Sequence, residues 1–172
     1  MNLEAPHPKP KPARKVKTKK PVVKVSSRGS LIKTAHSIMR DIVLDRDLRC
    51  VCPPPAKGHS GARQAGHLIK STKGKIRFDL MNVHEQCSAC NGRHNNYEHY
   101  YVDWFISKFG ADEYHRLCAD AEGVGLKTYE LEELIAQLKE IRRKQVAATL
   151  MGETYKPYYT QADVLSGAWR LK

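Results

Sequence analysis

The sequence predicts an α+β chain, a small zinc-stabilised middle flanked by α-helices and preceded by a disordered basic arm. Three observations predict it. The first 27 residues hold five of the nine prolines, and seven lysines and one arginine there face a single glutamate. Such a segment cannot bury enough apolar surface to offset its ordering entropy. Beyond it, apolar residues recur at helical spacing on both sides of the middle. The middle itself carries cysteines in two close pairs, CVC at 50–52 and CSAC at 87–90, among glycines and prolines.

The elements follow in order. From Leu31 through Ile32, Ala35, Ile38, Met39, Ile42 and Val43 the apolar period is that of a helix, with Ser30 placed to cap it. Residues 50–66 include CPPP and several glycines, so turns are expected. KIRFDL (75–80) alternates polar and apolar residues as a short strand does. Tyr97, Tyr101, Trp104, Phe105 and Phe109 then form a helical stripe that ends at Gly110. Core packing is the better reading of that stripe than a platform for stacked bases. ADEYHRLCADAEG is a second helix, in which Cys118 reads as a small buried hydrophobe. TYELEELIAQLKEIRRKQVAATLMG is the longest, capped by Thr128, acidic early and basic late as the helix dipole favours. Its apolar face, Leu131, Leu134, Ile135, Leu138, Ile141 and Val146, suits internal packing or a second subunit. The chain divides into an arm (1–27), a domain with its flanking helices (28–151) and a C-terminal tail (152–172).

A net charge of +12 makes a polyanion the natural partner, since phosphates attract lysine and arginine whatever the sequence. No apolar run long enough for a membrane span and no signal peptide stand out, so a soluble, cytoplasmic protein without membrane contact is expected. Five cysteines, an odd number and closely paired, argue for metal ligation over a disulfide framework. Cys50, Cys52, Cys87 and Cys90 read as the four thiolates of a structural zinc site, against a redox pair at Cys87 and Cys90 or ordinary reduced thiols. A single residue between Cys50 and Cys52 strains chelation of one ion, which leaves His59 as the reserve ligand.

The stretch HLIKSTKGKIRFDLMNVHEQCSACNGRHNNYEH (67–99) crowds four histidines and four asparagines around the second cysteine pair. His67 follows a glycine, and an imidazole near its ordinary pKa takes a proton from water at neutral pH. An amide oxygen can hold that imidazole in one tautomer. Imidazole and amide oxygens suit a weakly held magnesium or manganese ion, which phosphodiester hydrolysis requires. Arg63, Lys70, Lys73, Lys75, Arg77 and Arg93 supply cations for DNA phosphates, against the plainer reading of a solvated face.

LDRDLRCVC, AGHLI, IRFDLMNVHEQCSACN and the tyrosine-rich helix after them resemble the NinG/Rap recombination nucleases of lambda-like phages. Those belong to the HNH, or ββα-metal, endonucleases, and the resemblance spans roughly residues 28–145. It implies a ββα-metal core wrapped by helices and cleavage of branched DNA such as Holliday junctions and D-loops. It implies His67 as the general base, Asn82 as the residue that orients it, and Asn91 as a ligand of the catalytic ion. His84 falls on a metal or phosphate contact, and Cys50, Cys52, Cys87 and Cys90 on the zinc ligands. The chain departs from that pattern twice. Its first knuckle is CVC where Cys-x-x-Cys is usual. Gly66 stands where many relatives carry an acidic metal ligand, for which Asp79 or His84 are the substitutes. A homodimer through helix 128–150 fits two symmetric nicks. The alternatives are an HNH nicking enzyme on linear duplex and a zinc-stabilised DNA-binding module without catalysis.

Overall fold

The computed structural model describes residues 26–53, 58–70, 72, 74, 76–95 and 99–168. Apart from Ser26 and Ser27, the basic arm expected over 1–27 lies outside the described residues. The elements run α1 (Arg28–Asp47), β1 (Arg63–His67), β2 (Val83–Cys87), α2 (Ser88–Asn95), α3 (Tyr100–Phe109), α4 (Ala111–Asp120), α5 (Thr128–Leu150) and α6 (Gln161–Ser166).

α1 starts two residues before the expected cap, because the Ser27 hydroxyl accepts from the Ser30 amide at 3.2 Å. Leu31, Ala35, Met39, Ile42 and Val43 lie on its buried side. They meet Leu131, Leu134, Ile135, Leu138 and Ile141 of α5, and Phe78, Leu80, Val83, Tyr159 and Val164 complete this first core. Burying each of the Leu, Ile, Val, Met and Phe side chains among them stabilises the fold by about 1.5–3 kcal/mol. The apolar face of α5 is therefore used internally, and only Val146 of its expected stripe stays partly out, at 41% exposed. Lys127 precedes Thr128 at the helix start, and its amide donates to the Glu130 carboxylate at 2.6 Å. The aromatic helix α3 packs as core: Tyr101 and Phe105 join Cys52, Leu68, Met81, Cys87, Cys90 and Leu117 in a second cluster. Tyr97 lies outside the described residues.

β1 and β2 pair antiparallel, Gly66 opposite His84 and Gln64 opposite Gln86. Side chains alternate across such a ribbon. Ala65, His67, Val83 and Glu85 therefore turn toward α1, while Gln64, Gly66, His84 and Gln86 turn toward α2 and α3. Two expectations change here. The described part of KIRFDL, Ile76–Leu80, forms turns, not a strand: Ile76, Phe78 and Leu80 are buried, but the Phe78 amide bonds the Gln161 side chain and the Leu80 amide bonds the Tyr159 carbonyl. The first strand lies instead at Arg63–His67, inside the stretch expected to be turns. RQAGH has no β-branched residue, so its extension comes from its partner strand rather than from propensity.

The segment after Gly152 is also part of the body. Tyr159 and Val164 reach the first core, and Arg46, buried near the end of α1, ties that segment in. Its guanidinium donates to the Leu80, Val83 and Pro157 carbonyls and pairs with Asp47 at 2.7 Å. Asp47 in turn accepts from the Glu85 amide and the Tyr158 hydroxyl. Removing one partner of a buried pair leaves the other charge uncompensated. Arg46→Leu should therefore lower unfolding free energy by about 3–5 kcal/mol, read as the shift of the urea midpoint. A loss below about 1 kcal/mol would show that the pair is not buried in solution.

Candidate metal centre and active site

The ligand atoms of Cys50, His59, Cys87 and Cys90 all lie within 4.8 Å of one another. Nδ1 of His59 sits 3.7 Å from the Cys87 sulfur and 3.6 Å from the Cys90 sulfur. With metal–ligand bonds of roughly 2.0–2.3 Å, the edge of a coordination tetrahedron is about 3.6 Å. The donor set thus fits a zinc ion. Backbone bonds hold the two loops together, with the Ser88 amide on the Ala62 carbonyl and the Ala89 amide on the Ser60 carbonyl. The end of β2 and the first turn of α2 supply Cys87 and Cys90, and the chain between α1 and β1 supplies the rest. Partial burial pushes the Cys87 thiol up, but the Cys90 amide and the His59 ring outweigh it and bring it to about 6. A thiol so placed is a thiolate at neutral pH, the form that ligates metal.

One expected ligand changes. Cys52 is outside this set, and His59 takes its place. The Cys52 sulfur instead accepts from Nε2 of Gln86 at 3.1 Å, and burial pushes its thiol up to about 11. The Cys52 thiol is taken up by the Gln86 amide, while Nδ1 of His59 reaches the sulfurs of Cys87 and Cys90.

His67 is the last residue of β1, on the α1 side of the ribbon. Its Nε2 lies 3.0 Å from the Arg77 carbonyl oxygen. A carbonyl oxygen only accepts, so Nε2 carries the proton and Nδ1 carries the lone pair. Burial lowers its pKa to about 4, and the His36 ring, with its centroid 5.7 Å away, and Arg77 push the same way. The imidazole is therefore neutral at pH 7. Asn82 does not touch it. Its side-chain oxygen accepts from the Ile69 amide at 2.8 Å, and its nitrogen donates to the Ile69 and Ile76 carbonyls. Asn82 thus pins both ends of the loop whose Arg77 carbonyl holds His67. It orients the imidazole through the backbone.

His84 is placed otherwise than expected. It is wholly buried, its Nδ1 2.8 Å from the Tyr101 hydroxyl and its ring 4.8 Å from that of Trp104. Burial holds its pKa far below the usual value. On the face packed under α3, it is shut off from solvent. Asp79, the other substitute for an acidic ligand, is buried too; it accepts from the Met81 amide and pairs with Arg116 at 3.4 Å. Asn91 lies on α2, on the opposite side of the ribbon from His67. Its nitrogen donates to Gln64 at 2.8 Å, and its oxygen faces Gly66.

The expected DNA contacts divide. Arg63 is bonded to Glu85 at 2.6 Å and to the Leu44 carbonyl, so it braces β1 against α1. Arg93 lies over the Tyr100 ring at 4.2 Å, with Tyr100 half exposed. Lys70 and Arg77 border the loop after β1, and Lys73 and Lys75 lie outside the described residues. Two residues that sequence reasoning passed over also matter. His94 holds the Leu68 carbonyl at 2.9 Å, and the Tyr101 hydroxyl donates to the Gly66 carbonyl at 3.1 Å. Together they fix the backbone on both sides of His67. The spacing Asn91–His94, one turn of one helix face, was the available signal.

The cysteine pairs, His59, His67 and the whole β1–β2–α2 unit fall within residues 5–148, and that span matches the family described as Bacteriophage Lambda NinG protein. The chain belongs to the NinG family. The match takes in more than four-fifths of the sequence. NinG proteins are phage proteins associated with recombination. No curated protein and no solved structure matches this NinG chain. Among its described residues, no helix is long and apolar enough to cross a membrane.

The half-buried imidazole of His67 and the buried one of His84 set a pH dependence. Their folded-state pKa values lie below the unfolded value of 6.5, so between those limits the unfolded chain binds more protons than the folded one. Their stabilisation is complete above pH 6.5 and is lost as pH falls toward 4. From His67 alone the loss should reach on the order of 2 kcal/mol by pH 5. Urea midpoints of the zinc-loaded protein at pH 7 and pH 5, compared with those of His67→Gln, check it. The variant should show the shallower fall, and equal slopes would contradict the burial of His67.

Proposed function

We propose that this NinG-family chain is an HNH-type, metal-dependent endodeoxyribonuclease that cuts branched recombination intermediates, Holliday junctions and D-loops. The observation that carries the reading is the state of His67. Its Nε2–H is held by the Arg77 carbonyl, so a neutral imidazole ends β1 with its lone pair on Nδ1. That is the requirement for a general base on water at neutral pH. A bound phosphate, by its charge, would raise the pKa back toward neutrality and make the base stronger when substrate is present. The zinc-fitting set at the β2–α2 junction supports the reading by holding strand and helix in fixed relation.

In this mechanism Nδ1 of His67 takes a proton from the water that attacks phosphorus in line. Asn82 keeps the imidazole aimed by locking the loop that carries the Arg77 carbonyl. The oxygen of Asn91 suits a magnesium or manganese ion, which would neutralise charge on the leaving 3′-oxygen and give 5′-phosphate ends. Lys70, Arg77 and Arg93 would supply cations for the phosphate backbone of the DNA arms. Resolution of a four-way junction needs two nicks, and a homodimer supplies them.

Cleavage of a synthetic four-way junction and of a matched linear duplex, each with magnesium or manganese, tests the proposal. The junction should be cut in paired nicks and the duplex left largely intact. Equal cutting of both would favour a general nicking enzyme. Salt-sensitive binding with no cutting of either would leave a zinc-stabilised DNA-binding module.

A further inference from the structure

Gly66 lacks the acidic side chain that would ligate a catalytic ion, and the atoms nearest to where that side chain would project belong to Gln86 and Asn91, not to Asp79 or His84. A Cβ built on Gly66 would lie 1.8 Å from Oε1 of Gln86 and 3.1 Å from Oδ1 of Asn91. The slot that a side chain at position 66 would fill is thus occupied by one amide oxygen and bordered by another. Gln86 is wholly buried, and its Oε1 has no hydrogen-bond partner among the described residues. Its orientation is set at the other end, where Nε2 donates to the Cys52 sulfur at 3.1 Å. Asn91 is set likewise, since its nitrogen donates to Gln64 and its oxygen is left toward Gly66.

Both oxygens border the place that a Cβ at position 66 would take, and a buried carbonyl left unpaired, as that of Gln86 is, costs about 1–3 kcal/mol. A hard cation would offset that cost, because magnesium and manganese take amide oxygens as ligands. We propose that Gln86 supplies the oxygen that position 66 cannot, and that Gln86 and Asn91 together hold the divalent ion against β1. The inference rests on the nuclease reading for what the ion does, but not for where the ion binds. It also gives Cys52 a purpose outside the zinc set, which is to hold the Gln86 amide in the ligating orientation. The remaining ligands are water and substrate oxygens, as is usual for magnesium. Gly66 is then required, because any side chain there would displace the Gln86 oxygen.

The test is manganese binding by the full-length, zinc-loaded protein, read by electron paramagnetic resonance without DNA. Zinc content and circular dichroism are measured on the same samples. Gln86→Met, of similar volume but without the amide oxygen, should weaken manganese binding at least tenfold with zinc retained. Gln86→Glu, which adds charge in the same shape, should tighten it; this arm decides the matter if the methionine variant does not fold. Unchanged affinity in the variants, or no manganese bound by the parent protein, overturns the inference. Junction cleavage is assayed in parallel to separate the two proposals. If Gln86→Met loses manganese while the parent never cuts DNA, the ion site stands and the nuclease reading falls. If the parent cuts and the variants bind manganese as it does, the nuclease reading stands and Gln86 is not a ligand.

Discussion

His67→Ala should lower junction cleavage by about 10²–10⁴-fold, the usual contribution of a positioned general base, while zinc content and junction binding stay at parental levels. The fold should survive because the change removes one hydrogen bond, to the Arg77 carbonyl, on a half-buried side chain at a strand end. Truncation of a neutral imidazole leaves no buried charge behind. In the proposed mechanism the imidazole acts on water and the cations around it bind the DNA, so the loss should appear in kcat rather than in affinity. His67→Gln is the informative companion: it can still bond the Arg77 carbonyl but cannot take a proton, and it should be as inactive as alanine. If either variant cuts as fast as the parent, the base is another group.

Zinc removal should have the largest effect on stability. Among the described residues the ribbon β1–β2 has two strands, and two strands alone are marginal in water. What fixes it is α1 on one side, α2 and α3 on the other, and the clamp at the end of β2. Structural zinc sites contribute on the order of 10 kcal/mol of apparent binding free energy that is also folding free energy. A strong chelator should therefore lower Tm by more than 10 °C and end cooperative melting of the β1–β2–α2 unit, while the α1–α5 pair keeps much of its helicity. The ligand set predicts an asymmetry among variants. His59→Ala should lose zinc affinity at least tenfold, whereas Cys52→Ser should keep one equivalent of zinc per chain, measured by a colorimetric zinc assay. The reverse result would restore Cys52 to the set and remove His59.

The sequence already carried the helices because their signals are local. The apolar period of residues 31–43 and 131–141, Gly110 as a stop and the acidic start of α5 each report on a neighbourhood of a few turns. The strands were harder. KIRFDL has the right alternation and no partner edge, so it buries Ile76, Phe78 and Leu80 within turns, and RQAGH has weak propensity but a partner in VHEQC. Strand formation depends on hydrogen bonds to distant residues, which no local pattern encodes.

The candidate site divides the same way. From sequence alone came the residue types: histidines, amides and thiols in a basic stretch, the family they resemble, and the need for a metal-tied core. Tertiary structure alone decided which of them meet. It brought His59 into the metal set and left Cys52 to Gln86, sank His84 among aromatic rings, and routed the influence of Asn82 to His67 through a backbone carbonyl. Composition and spacing state what chemistry a chain can do. Ligand geometry and burial, which set every pKa and coordination sphere here, are properties of residues far apart in sequence, and they exist only once the chain has folded.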